Sequence, residues 1–136
     1  MTDDPGKMTD ADWWRKLTPA QYQVLRERGT EPQFSGEYVH EHADGMYHCA
    51  ACGAALFSSE TKFDSTSGWP SFTEPALIKS VNLQPDDSHG LRRIEVTCAR
   101  CGGHLGHVFD DGPAGRGGKR YCINSAALAF RQRAAG

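Results

Sequence analysis

Five cysteines, divided four and one, are the residues of this sequence that point most directly to chemistry. Four of them form two CxxC pairs, Cys49/Cys52 and Cys98/Cys101, and the fifth, Cys122, stands alone near the C-terminus. An odd number argues against a framework in which every cysteine is paired in a disulfide. The two groups therefore need separate explanations.

The two CxxC pairs have the spacing of a zinc site. Each CxxC turn places two sulfurs on one side of the tetrahedron that Zn²⁺ prefers, so two turns complete it. A glycine, Gly53 or Gly102, follows each turn and allows the backbone to bend sharply beneath a metal. The alternatives are two disulfides, which a reducing compartment disfavours, and a thioredoxin-like motif, which would need a βαβ pattern. A site closed by four thiolates would be structural and would join two distant hairpins.

Cys122 has neighbours that suit a nucleophile. Residues 120–124 alternate in the manner of a strand, which predicts Arg120, Cys122 and Asn124 on one face. A positive charge beside a thiol favours the thiolate, the form that attacks. The alternative is that Cys122 is a small buried apolar residue, as many lone cysteines are.

Two further groups could complete a reactive site. His104 and His107 follow the second CxxC pair, and histidine is the side chain best suited to proton transfer near neutral pH. Their alternative roles are zinc ligands or surface residues. Trp69 and Phe72 could form an aromatic wall for an apolar group such as a methyl on sulfur, or could belong to the core, where aromatic side chains are commonly buried.

The elements that must position these residues are short. Helices are predicted at residues 11–16, with Thr9 or Asp10 as the cap, and from Pro19 onward, where Thr18 and Gln21 form a capping box and Gly29 is the stop. Residues 31–41 are predicted to be an extended segment across the domain. Strands are predicted at 46–49, 55–57, 91–98, 120–124 and around 128–130, with a flexible loop at 110–119. The pattern favours a mainly β domain of antiparallel strands.

Composition excludes several classes of function. The 136 residues carry a net charge of −2 with no basic block, so neither nucleic acid nor an anionic membrane is indicated as a partner. No apolar run reaches the ~18 residues of a membrane span, and the polar N-terminus lacks the apolar region of a secretory signal. The expectation is a single domain over residues 1–136, cytoplasmic and monomeric, with a disordered tail at residues 1–8.

The sequence resembles the methionine-R-sulfoxide reductase (MsrB) family. The resemblance is carried by GWPSF at 68–72, HLGHVFDDGP at 104–113 and RYCINS at 120–125, and the two CxxC pairs match the zinc-bearing members. Residues 17–31 and 34–38 are similar to the N-terminal region of that family. The resemblance implies two antiparallel sheets in a β-tent (Mss4-like) fold, with structural Zn²⁺ at the end opposite the active site.

The resemblance also implies a reaction, the reduction of the R epimer of methionine sulfoxide. Cys122 would attack the sulfoxide sulfur and become a sulfenic acid, the first stage of thiol oxidation. His104, His107 and Asn124 would organise the sulfoxide oxygen and its proton, and Arg120 would favour the thiolate.

Substrate and partners follow from the same resemblance. The substrate would be methionine-R-sulfoxide in oxidised proteins, with its methyl group packed against Trp69 in an aromatic wall that includes Phe72. The reductant would be thioredoxin, or glutaredoxin with glutathione.

One departure from the family pattern concerns regeneration of the enzyme. Many members carry a recycling cysteine just before GWPSF, where this chain has Ser67, and there is no sixth cysteine. The sequence therefore predicts that an external thiol reduces the sulfenic acid directly. The competing hypothesis is a zinc-ribbon module that binds nucleic acid or a small GTPase. A ribbon that binds nucleic acid would have a basic, aromatic surface and no need for Cys122.

Overall fold

The computed structural model describes residues 8–90 and 92–132, and its two helices begin where their caps predict. The hydroxyl of Thr9 caps α1 (Asp10–Lys16), and the hydroxyl of Thr18 caps α2 (Pro19–Leu25). Both caps are full capping boxes, in which a side chain three residues on accepts a hydrogen bond from the cap amide. The second helix ends at Leu25, before the predicted stop at Gly29, and beyond its end Arg28 rather than the glycine takes the left-handed backbone conformation (φ 58).

In the part of the chain that the structure describes, nine strands form two antiparallel sheets, which confirms the predicted mainly β fold class. A three-stranded sheet has the order β2-β1-β9, and a six-stranded sheet has the order β3-β4-β8-β7-β6-β5. In chain order the strands are β1 (Gly45–Cys49), β2 (Ala55–Ser58), β3 (Lys62–Phe63), β4 (Ser71–Phe72), β5 (Val81–Asp86), β6 (Arg93–Cys98), β7 (His104–Phe109), β8 (Arg120–Ile123) and β9 (Leu128–Gln132).

The core lies between the sheets and is built around aromatic side chains. Phe57 and Phe72 stack with ring centroids 4.5 Å apart, and Tyr47 meets Phe72 edge-on at 5.2 Å. The helices add Trp13 and Leu25, both fully buried. Each large apolar side chain removed from water stabilises the fold by about 2–3 kcal/mol before entropy is subtracted, so this cluster fixes how the sheets face one another.

The strand register brings distant residues into one row on a single face of the large sheet. Ser71 pairs with Cys122, Cys122 with His107, His107 with Glu95, and Glu95 with Gln84. Directly paired residues of antiparallel strands project from the same face. A second row beside it contains Arg120 paired with Phe109, and Arg93 paired with Asp86.

The structure also contains strands that the sequence analysis did not predict. These are β7, whose apolar pattern is interrupted by a glycine and two histidines, and β5, which contains Pro85. Proline is tolerated there because β5 is an edge strand. Strands β3 and β4 are too short to produce a pattern.

Three further predictions concern the N-terminal region and the membrane. Residues 31–41 are irregular and rich in turns rather than extended. The predicted tail lies outside the described residues except for Met8, which packs against the core. Neither described helix has the length or apolar character that crossing a bilayer requires.

Candidate active site and metal centre

Cys122 opens into a cavity of about 240 Å³ on the outer face of the large sheet. Four residues predicted from the sequence line the same cavity: Trp69, His107, Arg120 and Asn124. Residues 120, 122 and 124 therefore share a face, as the alternation of β8 predicted.

Opposing effects act on the pKa of the Cys122 thiol. Burial raises the pKa of Cys122, while the positive charge of Arg120 and a hydrogen bond from Ser67 act to lower it. Burial outweighs the other two, so the net direction is upward. Arg120 acts on the pKa of Cys122 in the direction expected from the sequence, favouring the thiolate, but burial is the larger effect.

Arg120 is held in place by two contacts. Its Nε and Nη2 donate to the carboxylate of Asp111 at 2.9 and 3.2 Å, and its guanidinium lies 4.5 Å from the ring centroid of Phe109. A two-point contact and an aromatic face together fix the plane of a guanidinium. Arg120 is therefore a rigid positive charge beside the thiol.

His107 lines the cavity and is oriented by a buried carboxylate. Its Nε2 donates to Oδ2 of Asp86 at 2.7 Å. Hydrogen bonds from Ser88 and His107 hold the pKa of Asp86 well below its usual range, so this carboxyl group is ionised and accepts. Because Nε2 carries the proton, Nδ1 is the nitrogen of His107 that remains for a further hydrogen bond.

His104 lies behind His107 and does not line the cavity. It is 2 % exposed, its Nδ1 donates to Oε2 of Glu95 at 2.6 Å, and its ring centroid is 5.3 Å from that of His107. Burial lowers the pKa of His104, so the ring is neutral. Burial raises the pKa of Glu95, but hydrogen bonds from Gln84 and His104 outweigh it, so Glu95 stays ionised. The two histidines thus form parallel pairs with carboxylates, one at the cavity and one behind it.

The aromatic wall predicted from the sequence consists of Trp69 without Phe72. The Trp69 ring lines the cavity, and its Nε1 donates to the carbonyl oxygen of Glu31 at 2.9 Å. Phe72 is fully buried in the core, stacked on Phe57. This corrects the prediction that Phe72 contacts substrate. The physical reason is the strand alternation, since Ser71 of β4 faces Cys122 and its neighbour must face the opposite side.

Ser67, where a recycling cysteine would stand, belongs to a cluster of three hydroxyl groups with Ser65 and Ser71. The Oγ of Ser65 lies 2.8 Å from that of Ser67 and 2.7 Å from that of Ser71. Ser67 lines the cavity with Cys122 and hydrogen-bonds to its thiol. A thiol at residue 67 would therefore be adjacent to Cys122.

The four remaining cysteines come together as a candidate metal centre. Their sulfur atoms all lie within 4.8 Å of one another, with 3.7 Å between Cys49 and Cys101 and 3.5 Å between Cys52 and Cys98. A tetrahedron of sulfurs at Zn–S distances of ~2.3 Å has edges of about 3.8 Å, so the donor set fits such an ion.

The two CxxC turns are built alike. In each turn the amide of the following glycine donates to the carbonyl of the first cysteine, Gly53 to Cys49 at 2.9 Å and Gly102 to Cys98 at 2.8 Å. Both glycines are left-handed, with φ of 82 and 76, as the sequence predicted. One turn follows a strand of the small sheet and the other follows a strand of the large sheet, so the cluster joins the two sheets.

The metal centre is well separated from Cys122. Cys98 lies three residues along β6 from Glu95, which is two strands from Cys122 in the same row. With strand spacings of ~4.8 Å and a rise of ~3.3 Å per residue, the two Cα atoms are about 14 Å apart. A disulfide needs Cα atoms within ~7 Å, so Cys98 cannot reach Cys122 by a rotamer change alone.

The sequence analysis missed the residues that orient the histidines. Glu95 carried a usable signal, a charged residue in the middle of an apolar strand on the same face as Thr97. Asp86 carried no comparable signal, because its relation to His107 depends on the pairing of β5 with β6 and of β6 with β7. Phe109 and Arg93, which also line the cavity, depend on the same pairings.

Comparisons with known proteins agree with this geometry. The SelR domain family matches residues 17–132. The peptide methionine sulfoxide reductase MsrB of Bradyrhizobium diazoefficiens is 59 % identical over 127 residues, covering 93 % of this chain and 91 % of its own length. The MsrB of Thiobacillus denitrificans is 57 % identical over 129 residues, covering 95 % and 96 %. The mitochondrial methionine-R-sulfoxide reductase B3 of Mus musculus is 53 % identical over 116 residues, covering 85 % of this chain and 46 % of its own length.

A solved structure shares the fold at much lower identity. The Mis18 "Yippee-like" domain superposes with a TM-score of 0.54 and 19 % identity, covering 68 % of this chain and 99 % of that one. This likeness concerns the fold alone. The bacterial relatives, by contrast, are more than half identical over nearly their whole length, and on that ground the chain belongs to the MsrB family of peptide methionine sulfoxide reductases.

Proposed function

We propose that this protein reduces the R epimer of methionine sulfoxide in oxidised proteins, with Cys122 as the nucleophile. The observation that carries the proposal is the cavity in which Cys122, His107, Arg120 and Asn124 meet beside the ring of Trp69. An apolar wall suits the S-methyl group, and polar groups suit the sulfoxide oxygen. Because methyl, oxygen and peptide chain would each meet a different wall, the cavity would favour one epimer.

The reaction balances with the thiol's own proton. Sulfur of Cys122 attacks the sulfoxide sulfur and forms a transient sulfur–sulfur bond. The protonated oxygen then passes to the sulfur of Cys122 as that bond and the sulfur–oxygen bond of the sulfoxide break, which leaves methionine and a sulfenic acid. Methionine is reduced by two electrons and Cys122 is oxidised by two. Because burial raises the pKa of Cys122, the resting thiol carries the proton that the departing oxygen needs. His107, with Nδ1 available, is suited to hold that proton during the transfer.

Arg120 and Asn124 have complementary roles in the proposal. Arg120, fixed by Asp111, stabilises negative charge on the sulfur as its proton leaves. The amide of Asn124 is oriented because its Oδ1 accepts from the Glu31 amide and its Nδ2 donates to the Leu105 carbonyl, each at 3.0 Å. The second N–H of Nδ2 is then the donor proposed for the sulfoxide oxygen.

We further propose that Cys49, Cys52, Cys98 and Cys101 hold a structural Zn²⁺. Four thiolates would close the coordination sphere and leave no position for substrate. The metal would then supply folding free energy across the junction of the two sheets, while the residues around Cys122 perform the reaction.

The proposed function is tested with separated sulfoxide epimers. The protein should reduce the R epimer of a blocked methionine sulfoxide with dithiothreitol as the reductant and should leave the S epimer unchanged. Turnover of the S epimer alone, or of neither epimer by a folded, zinc-loaded preparation, would contradict the proposal.

Replacing His107 and replacing His104 are predicted to have different effects on kcat and on the free energy of unfolding. His107→Ala should lower kcat by about 10²-fold or more with a smaller loss of thermal stability than His104→Ala, since His107 borders the cavity and Asp86 keeps the hydrogen bond from Ser88. His104→Ala should also lower the free energy of unfolding by about 1–3 kcal/mol, because Oε2 of the buried Glu95 loses its hydrogen-bond donor. Single-turnover rates and thermal unfolding measure the two effects. Equal stability losses in both variants, with rates unchanged, would contradict the assignment.

We propose that an external thiol regenerates Cys122. The sulfenic acid would form a mixed disulfide with that thiol and release water, and a second thiol would then restore Cys122. Thioredoxin and glutaredoxin with glutathione are the proposed donors, consistent with the cytoplasmic location expected from the sequence. The separation of about 14 Å from Cys98 favours this route over one that sacrifices a metal ligand.

This route predicts the product of one turnover without reductant. Mass spectrometry should find a sulfenic acid on Cys122, trapped by dimedone, with zinc retained. In Ser67→Cys the new thiol lies beside Cys122, so an internal disulfide should form and thioredoxin should become the better reductant. Ser65→Cys, one hydroxyl further from Cys122, is the matched control. A disulfide from Cys122 to Cys49, Cys52, Cys98 or Cys101 with stoichiometric zinc release would refute the external route.

A further inference from the structure

Residues 30–36, called here the arm, form a wall of the cavity that no strand supplies. Thr30 and Gln33 line the cavity beside Ser67 and Trp69. The arm is hydrogen-bonded to the loop before β4: the Phe34 amide donates to the Gly68 carbonyl at 2.8 Å, and the Gln33 side chain donates to the Ser67 carbonyl. The Trp69 ring therefore stands against the arm on one side of the cavity.

Glu31 connects the arm to both sides of the cavity through three different groups. Its carbonyl oxygen accepts from Nε1 of Trp69 at 2.9 Å. Its amide donates to Oδ1 of Asn124 at 3.0 Å. Its carboxylate accepts from the Ala126 amide at 2.8 Å, just beyond the end of β8. One residue thus touches the side chain proposed for the methyl group and the side chain proposed for the oxygen.

The Glu31 carboxylate is tightly packed against Gly36 and Ser125. A Cβ atom at Gly36 would lie 2.3 Å from Oε2 of Glu31 and 2.2 Å from Oγ of Ser125. The Oγ of Ser125 in turn accepts from the Tyr38 amide at 3.2 Å. A side chain at residue 36 would therefore displace either the Glu31 carboxylate or Ser125, so the arm keeps this course only with glycine there.

We propose that Glu31 is a positioning residue of this active site, whose carboxylate anchors the arm so that its backbone holds Trp69 and Asn124 in place. The inference rests on the proposed function and adds to it. Glu31 does not line the cavity and contacts no reacting atom. Its effect is exerted through the orientation of the indole ring and of the Asn124 amide, and small displacements of such groups have large kinetic effects.

The test compares two variants of Glu31 with wild type. Glu31→Gln keeps an oxygen that can accept from Ala126, whereas Glu31→Ala removes it. Glu31→Ala should raise KM and lower kcat for the R epimer, with kcat/KM reduced roughly 10- to 100-fold. Glu31→Gln should retain kcat/KM within about threefold. Glu27→Ala, which truncates an exposed glutamate just before the arm, is the matched control and should match wild type.

The alkylation rate of Cys122 distinguishes the anchoring role of Glu31 from the effect of its negative charge. The negative charge of Glu31 contributes to raising the pKa of Cys122, and both variants remove it. Their rates of reaction with iodoacetamide should therefore change together, although only Glu31→Ala loses turnover. Gly36→Ala displaces the arm by another route and should reproduce the kinetics of Glu31→Ala.

The outcomes are distinguishable from failure of the proposed function. If wild type does not reduce the R epimer, the proposed function has failed. If wild type is active and folded Glu31→Ala retains wild-type kcat and KM, the positioning role is overturned. Equal losses in Glu31→Gln and Glu31→Ala would also overturn it, since the charge and not the anchor would then be responsible.

Discussion

Replacing Cys122 by serine is expected to abolish reduction of the R sulfoxide, lowering the rate by a factor on the order of 10⁴ or more. A hydroxyl of similar size fills the same position but is a far weaker nucleophile than a thiol at neutral pH. The carboxylate and carbonyl partners that orient His107, Arg120 and Asn124 do not depend on the sulfur, so the cavity itself should persist. The measurement is single-turnover reduction of the R epimer by purified protein.

The controls for this experiment lie on the same strand. Tyr121→Phe alters the neighbouring residue of β8, whose side chain faces away from the cavity, and should leave the rate unchanged. Zinc content and the midpoint of thermal unfolding should be the same in Cys122→Ser as in wild type. Substantial turnover by the serine variant would remove Cys122 from the role of nucleophile and leave the family's activity without an explanation in this chain.

Removing one sulfur of the metal centre is expected to unfold the domain. Cys49 and Cys101 are nearly fully buried and come from different sheets. Structural zinc contributes about 10–16 kcal/mol in small domains, as much as the net stability of a typical fold of about 5–15 kcal/mol. Cys49→Ser and Cys101→Ser should therefore lose zinc, lose cooperative thermal unfolding and aggregate.

Two controls distinguish ligand loss from general damage. Cys122→Ser removes a thiol without touching the cluster and should retain one zinc per chain. Arg100→Ala changes an exposed residue inside the second CxxC turn and should also retain the metal. Metal content by mass spectrometry and unfolding by circular dichroism give the two readouts. A Cys49→Ser protein that is metal-free, folded and active would show that the cluster is dispensable.

Local features were predictable from the sequence because their causes are local. The predicted capping box at Thr18 depends on residues three positions apart and is confirmed, and Thr9, one of the two residues predicted to cap the first helix, forms a second box. Left-handed glycines after each CxxC turn were predictable for the same reason. The common face of Arg120, Cys122 and Asn124 follows from the alternation of one strand.

The stop of the second helix shows where this reasoning fails. Gly29 is the better left-handed residue by intrinsic preference, yet Arg28 takes that conformation. In that position the Arg28 guanidinium reaches Glu95, at 3.1 Å, and Asp86, at 3.6 Å. Arg28 thus makes ion pairs with two carboxylates from distant strands while it holds a left-handed conformation that its residue type disfavours.

The sequence by itself determined the metal-binding spacing, the helix starts, the mainly β class and the identity of the isolated cysteine, because each depends on residue type and short-range periodicity. Tertiary structure alone decided which carboxylate orients which histidine, that Phe72 belongs to the core, and that Glu31 joins Trp69 to Asn124. It also decided that the pKa of Cys122 is raised rather than lowered. Burial is the sum of everything that packs around a group, and strand register relates residues far apart in the chain, so neither can be read from the neighbours of a residue in sequence.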